Sequence, residues 1–340
     1  MHFVPVVDQN QKSLMPTIPS RARRFIKSGK ATPFFKKGIF CIKLNKKPSN
    51  NKTQEIAVGI DPGSKREGFT VKSESHTYLN IQTKAIDWVK DAIEVRRNMR
   101  RGRRFRKTPC RKNRFNRKRG SLPPSTKARW QWKLNIIKLL TNIFPITHVI
   151  VEDISAKTKK NCKKWNSNFS PIEVGKQWFY TEIEKLVELE TRSGYETYEE
   201  RTKLGLKKTG KKTEEKFSAH CVDSWVLANM VAGGHIKPDN EDLLILNPIR
   251  LHRRQLHRLQ PKKGGRRSNY GSTRSLGFKR GSLVKHIKYG LCYIGGCSKG
   301  RVSLHDVQSG TRLCQNGKVT GIKFLSYSTL TRKEYVYFLV

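Results

Sequence analysis

Two apolar runs in this chain each end on acids. Residues 56–60, IAVGI, lead into Asp61, and residues 149–151, VIV, lead into Glu152 and Asp153. A strand that is apolar at every position has both faces buried. Such strands sit inside a sheet covered by helices on both sides, so the expected fold class is α/β. EGFTVKS (67–73) and TYLNIQT (77–83) alternate apolar and polar residues and should pair in a meander.

The placement of these acids is informative because acids are scarce. The chain of 340 residues holds 71 Lys+Arg against 26 Asp+Glu, a formal net charge of +45. So large an excess calls for a polyanion in the functional state, and nucleic acid is the usual one. The longest apolar stretches, HVIV and WVLANMVAGG, fall well short of the roughly 18 residues that span a bilayer. The start, MHFVPVVDQN, lacks the basic-then-apolar order of a signal peptide. A cytoplasmic, nucleoid-associated protein with no membrane partner is expected. The seven cysteines form no C-x-x-C pair, so reduced thiols are the default; metal binding by Cys292, Cys297 and Cys314 stays open.

Along the chain, FVPVV and GIFCIKL (38–44) read as strands. Between them SRARRFIKSG reads as a short basic helix closed by Gly29, with Arg21, Arg23, Arg24 and Lys27 exposed around Ala22 and Phe25–Ile26. Residues 96–119 hold 14 Lys/Arg. The first half of this segment has helical spacing, and arginine then occupies every face. Like charges at i,i+4 repel, so such a helix needs a polyanion beside it. ARWQWKLNIIKLLTNIF (128–144) reads as an amphipathic helix ended by Pro145. Residues 171–194 read as one helix closed by Gly194, and residues 197–217 as a charged strand and loop. SAHCVDSWVLANMVAGG (218–234) reads as a helix with Ser218 as N-cap and a Gly-Gly stop. Residues 241–340 hold 20 Lys/Arg and four Asp/Glu. They read as a basic loop (250–274) followed by a small antiparallel barrel or sandwich built from YGLCYIGG, GRVSLHDV, GTRLCQ, VTGIKFLSY and YVYFLV.

Asp61 and Glu152 end buried strands, and Asp223 lies on a helix three residues after His220, on the same face. In an open α/β sheet neighbouring strand ends converge on one edge, where a packed helix can add a third group. Three gathered carboxylates repel, and divalent cations remove that repulsion. Hard oxygen ligands suit Mg²⁺ or Mn²⁺, and two such ions can clamp a phosphodiester. His220 would orient or deprotonate the attacking water. Each residue has a plainer reading: a turn or cap for Asp61, Asp153 in place of Glu152 as the inward acid, a structural first-turn histidine for His220. GLKKTGKKT (205–213) nearly fits a P-loop, but Lys212 stands where a hydroxyl must meet Mg²⁺, so it reads as a basic loop.

GIDPGS, VIVED and H-x-x-D on a helix resemble the three pieces of a split RuvC domain, a member of the RNase H-like fold. SLMP followed by SRARRFIKSGKA resembles the N-terminal module of the IscB/IsrB proteins of insertion sequences, the OMEGA systems. Their motif reads P-L-M-P, and Ser13 departs from it. The arginine-rich segment 91–119 followed by LPPS resembles their bridge helix, and TKLGLKKT before H-x-x-D also matches. IscB carries an HNH nuclease between the second and third RuvC pieces. Residues 149–219 contain no histidine, and the interval is too short for that domain, so the chain is similar to IsrB.

The resemblance implies an N-terminal module (1–55), RuvC-I (56–87), bridge helix and linker (88–125), RuvC-II (126–155), RuvC-III (156–240) and a basic β-rich module that reads a target-adjacent motif (241–340). It implies a monomer bound to a long structured guide, ωRNA, acting on double-stranded DNA. The single RuvC centre would nick the displaced non-target strand after R-loop formation, with sequence delegated to base pairing. Asp61, Glu152 and Asp223 would ligate two Mg²⁺ ions, with Mn²⁺ able to substitute, and His220 would act on water. Arg96, Arg97, Arg100, Arg101, Arg103, Arg104, Arg106, Arg111, Arg114 and Arg117 would grip phosphates. Two rivals remain at this level: a structure-specific nuclease such as a junction resolvase, and a non-cleaving RNA-binding architectural protein.

Overall fold

A computed structural model describes residues 3–36, 39–48, 52–107, 122–155, 170–211, 213–248, 259–260, 265–266, 274–298, 300–307, 309–327 and 330–336. The N-terminal part is a small α+β unit. Strands β1 (Val4–Val7), β2 (Ser13–Thr17), β3 (Ala31–Lys36) and β4 (Ile39–Leu44) form a sheet in the order β2-β1-β4-β3, and α1 (Pro19–Lys27) packs Ala22 onto Val4, Val6, Ala31 and Ile42. The helix exposes Arg21, Arg23, Arg24 and Lys27 as the sequence pattern requires. Strands β2 and β3, each holding a proline, were not read from the pattern.

The central sheet is built on β5 (Ile56–Asp61), β6 (Arg66–Ser73), β7 (Thr77–Lys84), β8 (His148–Asp153), β9 (Glu188–Ser193) and β10 (Leu243–Pro248). Its order is β10-β7-β6-β5-β8-β9, with the strand Leu330–Val336 outside β10. β5, β6 and β7 are the expected antiparallel meander, and β8 and β9 run parallel to β5. β10 and the last strand come from the stretch read as the C-terminal β-module, and they extend the central sheet instead.

Side-chain size along β5 explains how the sheet is covered. Ile56, Val58 and Ile60 face one side and join the main core with α3 (Pro124–Thr141) and the helix α4 (Pro171–Glu184) through Leu134, Ile137, Leu140, Phe179 and Ile183. The small residues Ala57 and Gly59 face the other side, where α7 (Val222–Ala232) lies close. A Cβ on Gly59 would stand 1.8 Å from the Ser224 carbonyl oxygen, so the close approach of α7 requires glycine there.

The same helix also covers one face of β6, and polar residues of β6 and β7 are buried. Thr70 and Lys72 of β6 are buried there, and Asn80, Gln82 and Thr83 of β7 are buried as well. Most of their polar atoms find partners, as buried groups usually do: Thr70 Oγ1 lies 2.9 Å from Ser224 Oγ and donates to Asn80 Oδ1 at 3.0 Å, Asn80 donates to the Asn240 carbonyl at 2.8 Å, and Trp132 Nε1 donates to Thr83 Oγ1 at 2.9 Å, while Gln82 Oε1 has no partner among the described residues. On the opposite face Lys133 Nζ meets Glu67 Oε1 at 2.6 Å, both side chains at most 5% exposed.

The segment from Pro171 onward departs most from the sequence reading. α4 ends at Glu184, β9 follows, and Gly194 opens a new helix, α5 (Gly194–Lys203), instead of closing one. Ser193 and Glu196 form a reciprocal capping box at its start. Leu204-Gly205-Leu206 closes it in a Schellman turn, with Leu206 N–H on the Arg201 carbonyl at 3.1 Å and Gly205 N–H on the Thr202 carbonyl at 3.0 Å. The helix read over 218–234 is also two: α6 (Phe217–His220) and α7, broken at Cys221, with Lys216 rather than Ser218 at the N-cap.

C-terminal to β10, five antiparallel strands form a separate sheet in the order 312–317, 301–306, 290–298, 282–286, 322–327, around Val284, Cys292, Ile294, Val302 and Leu304. Among the described residues no helix is long and apolar enough to cross a membrane.

Candidate active site

β5 and β8 are parallel neighbours, so Asp61 and Glu152 leave the sheet at the same edge. α7 crosses β5 there and brings Asp223 in its first turn. One carboxylate oxygen from each of Asp61, Glu152 and Asp223 lies within 4.8 Å of the others; among the described residues no other group of three or more potential ligands gathers so closely. Asp153 is not the inward acid: it receives Lys176 Nζ at 2.8 Å and the Tyr180 hydroxyl at 3.0 Å. His220 is buried three residues before Asp223, at the end of α6, and is not one of the three converging groups. Cys292, Cys297 and Cys314 gather no metal-binding group among the described residues.

The electrostatics of the cluster are strained in the direction that favours a cation. Burial pushes the Glu152 carboxyl up to about 7, and the neighbouring negative charge and hydrogen bond of Asp61 push the same way, with Asp223 adding to them. Lys208 pulls the other way on Glu152, and two basic residues pair with the aspartates. Arg201 Nη1 donates to Asp223 Oδ1 at 2.5 Å, and Lys208 Nζ bridges Asp223 Oδ2 and Asp61 Oδ2, the latter at 3.3 Å. Three hard oxygen donors converging from three separate elements fit a divalent cation of the Mg²⁺ or Mn²⁺ kind.

Arg201, Lys208 and Gly194 were not singled out from sequence. Gly194 and Arg201 belong to α5, and Lys208 to the loop that follows its closing turn. The first residue of α5 lies against Glu152: a Cβ on Gly194 would stand 2.7 Å from Glu152 Oε1. Arg201, in its last turn, stacks its guanidinium 5.4 Å from the Tyr198 ring centroid and reaches Asp223. Lys208 follows the Schellman turn on a loop tied to α6 by Thr209 N–H on the Ser218 carbonyl at 3.0 Å. The S-G-Y-E capping box and the L-G-L stop were the available signals for this helix.

The arginine segment lies on α2 (Val89–Phe105), which has no buried residue. Arg96, Arg97, Arg100, Arg101, Arg104 and Arg106 are exposed and Arg103 is half-buried; Arg111, Arg114 and Arg117 lie outside the described residues. Val95, Met99 and Phe105 of the same helix are also exposed, Phe105 at 90%.

A family model described as RRXRR protein matches residues 4–167, a little under half of the chain. An Arg-Arg-x-Arg-Arg run stands in α2 at residues 100–104. No curated protein matches the chain. Among solved structures it is similar to T. thermophilus RuvC in complex with Holliday junction substrate, at 13% identity over 53% of this chain and 98% of that one, with a TM-score of 0.29. It is similar also to the yeast mitochondrial Holliday junction resolvase Ydc2, at 13% identity over 53% of this chain and 78% of that one, with a TM-score of 0.28.

Proposed function

We propose that this protein is a metal-dependent DNA endonuclease with a RuvC-type centre, directed by a structured guide RNA to nick one strand. The observation that carries the nuclease reading is the convergence of Asp61, Glu152 and Asp223 within 4.8 Å at one sheet edge. These three side chains would hold two Mg²⁺ ions, which when bound supply Lewis-acid stabilisation of phosphoryl oxygens and a more acidic water. The chain's own residues do the rest. β5, β8 and α7 fix the three carboxylates on rigid elements, and α5 closes the side of Glu152. His220 is the candidate to hold the attacking water or accept its proton at an imidazole nitrogen.

The guide-RNA reading is supported by charge and shape. α2 offers a 17-residue helix with no buried face, lined with arginine, and a surface of that kind serves the phosphates of a polynucleotide. With a formal charge of +45 the protein has more positive charge than one duplex contact uses, which fits a chain lodged on a long folded RNA. The C-terminal β-sheet would then read the short target-adjacent motif.

The test is to express the protein with its native flanking DNA and sequence the RNA that co-purifies. One discrete RNA, longer than a tRNA and encoded beside the gene, is the expected result. A smear of cellular RNA would defeat the guided reading and make cleavage of branched DNA the next assay, and no strand cleavage on any DNA would leave an RNA-binding architectural protein.

A further inference from the structure

We propose that Lys208 is a resident counter-cation of the three-acid cluster, which competes with divalent metal for Asp61 and Asp223 and so sets the metal concentration at which the site fills. This inference rests on the metal-centre reading above.

Lys208 bridges acids that come from different elements, β5 and α7. A cation shared by two carboxylates occupies the place where a first metal ion would have to bind. The ion pairs are shielded from water: the side chains of Lys208, Asp61 and Asp223 are 27%, 19% and 7% exposed. Charge interactions there are much stronger than on the surface. Without a counter-charge, three carboxylates within 4.8 Å would repel and spread the ends of β5, β8 and α7.

Arg201 does not fill the same role. Among the described residues it pairs with Asp223 and with neither Asp61 nor Glu152, from within a capped helix and against the Tyr198 ring, so it links no two acids. Lys208 stands instead on a loop beyond the helix end, on a flexible four-carbon stem. It can leave Asp61 and Asp223 by rotating about its own side-chain bonds, with no movement of the sheet. Once released, its ammonium stays at the edge where the anionic backbone of a substrate would lie. The arrangement holds the acids together before metal enters and raises the metal level needed to load them.

The test is Mn²⁺ binding, followed by the loss of the free-ion electron paramagnetic resonance signal. It uses the full chain, freed of RNA by high salt, with Asp61→Asn as the background to subtract. Lys208→Met is expected to lower the Mn²⁺ dissociation constant of the site by about tenfold or more, because the competing charge is gone. Lys208→Arg, which keeps the charge, is expected to stay near wild type. Lys208→Gln repeats the neutral variant should the methionine fail to fold. An unchanged or weaker Mn²⁺ affinity in the neutral variants overturns the proposal, as does failure of both to fold, which would make Lys208 purely structural. If neither wild type nor the neutral variants bind Mn²⁺ above the Asp61→Asn background, the metal-centre reading itself fails, a separate result.

Discussion

Gly194→Ala should separate activity from stability at this site. An added Cβ would stand 2.7 Å from Glu152 Oε1, about 0.7 Å inside ordinary van der Waals contact. The obstructing atom is the end of a side chain, so the clash is relieved by moving the Glu152 carboxylate rather than the backbone. The helix itself gains, since alanine is favoured over glycine by roughly 1 kcal/mol in a helix interior and by less in the first turn. The melting temperature should therefore stay within a few degrees of wild type. Catalysis should not. A displacement approaching 1 Å at a group that positions the reaction costs on the order of 100-fold, so a loss of roughly 10- to 100-fold in single-turnover nicking is expected. The assay compares wild type, Gly194→Ala and Glu152→Gln on an end-labelled target, with thermal melts run in parallel. A Gly194→Ala protein that cleaves at the wild-type rate would refute the idea that α5 seats Glu152. One that melts far below wild type would refute the claim that the clash is confined to a movable side chain.

Three further outcomes follow from the packing and the charge distribution. Replacing Arg100, Arg101, Arg103 and Arg104 by Gln should leave the melt unchanged while weakening RNA binding, and should lower the slope of log affinity against log salt by up to about 3; an unchanged slope would remove α2 from the interface. Lys133→Met leaves the Glu67 carboxylate buried without its partner and should cost about 3–5 kcal/mol in denaturant unfolding, most of which Glu67→Gln with Lys133→Met should recover; an equal loss in the double variant would mean that packing, not charge, holds this spot. Burial lowers the Lys72 ammonium to about 8 from its ordinary 10.5, so between those values the unfolded chain holds a proton that the folded one has lost. Its contribution to stability should then rise as pH climbs from about 8 toward 10.5, and unfolding curves at both ends should show wild type gaining on Lys72→Met, with parallel pH profiles as the contrary result.

The central sheet was readable because β5 and β8 carry their signal in every residue, and Asp61 and Glu152 follow directly from it. What the pattern concealed is burial by neighbours distant in sequence. Thr70 and Lys72 are polar and yet buried, because α7, some 150 residues away, packs on them through Ser224 and Trp225. Alternation reports that two faces differ, not that one is wet. The site was half legible for a related reason. The three acids stand out against a basic background, whereas Arg201 and Lys208 are two cations among 71 and carry no local mark. The capping box at Ser193 and Glu196 marks α5 and with it Arg201, whereas Lys208, on the loop beyond, carries no such mark. The break at Cys221 was hidden because it is a single residue between two helical stretches, Phe217–His220 and Val222–Ala232.

The most direct test of the central claim is strand cleavage by the RNA-loaded protein on a supercoiled plasmid. The plasmid carries the sequence complementary to the co-purified guide, and Mg²⁺ is compared with EDTA, wild type with Asp61→Asn. Open circles that form only with wild type, Mg²⁺ and the matching sequence are the predicted result. Cleavage that survives Asp61→Asn or EDTA, or a wild-type complex that binds the matching plasmid and never breaks a strand, would contradict the assignment of Asp61, Glu152 and Asp223 as a nuclease centre.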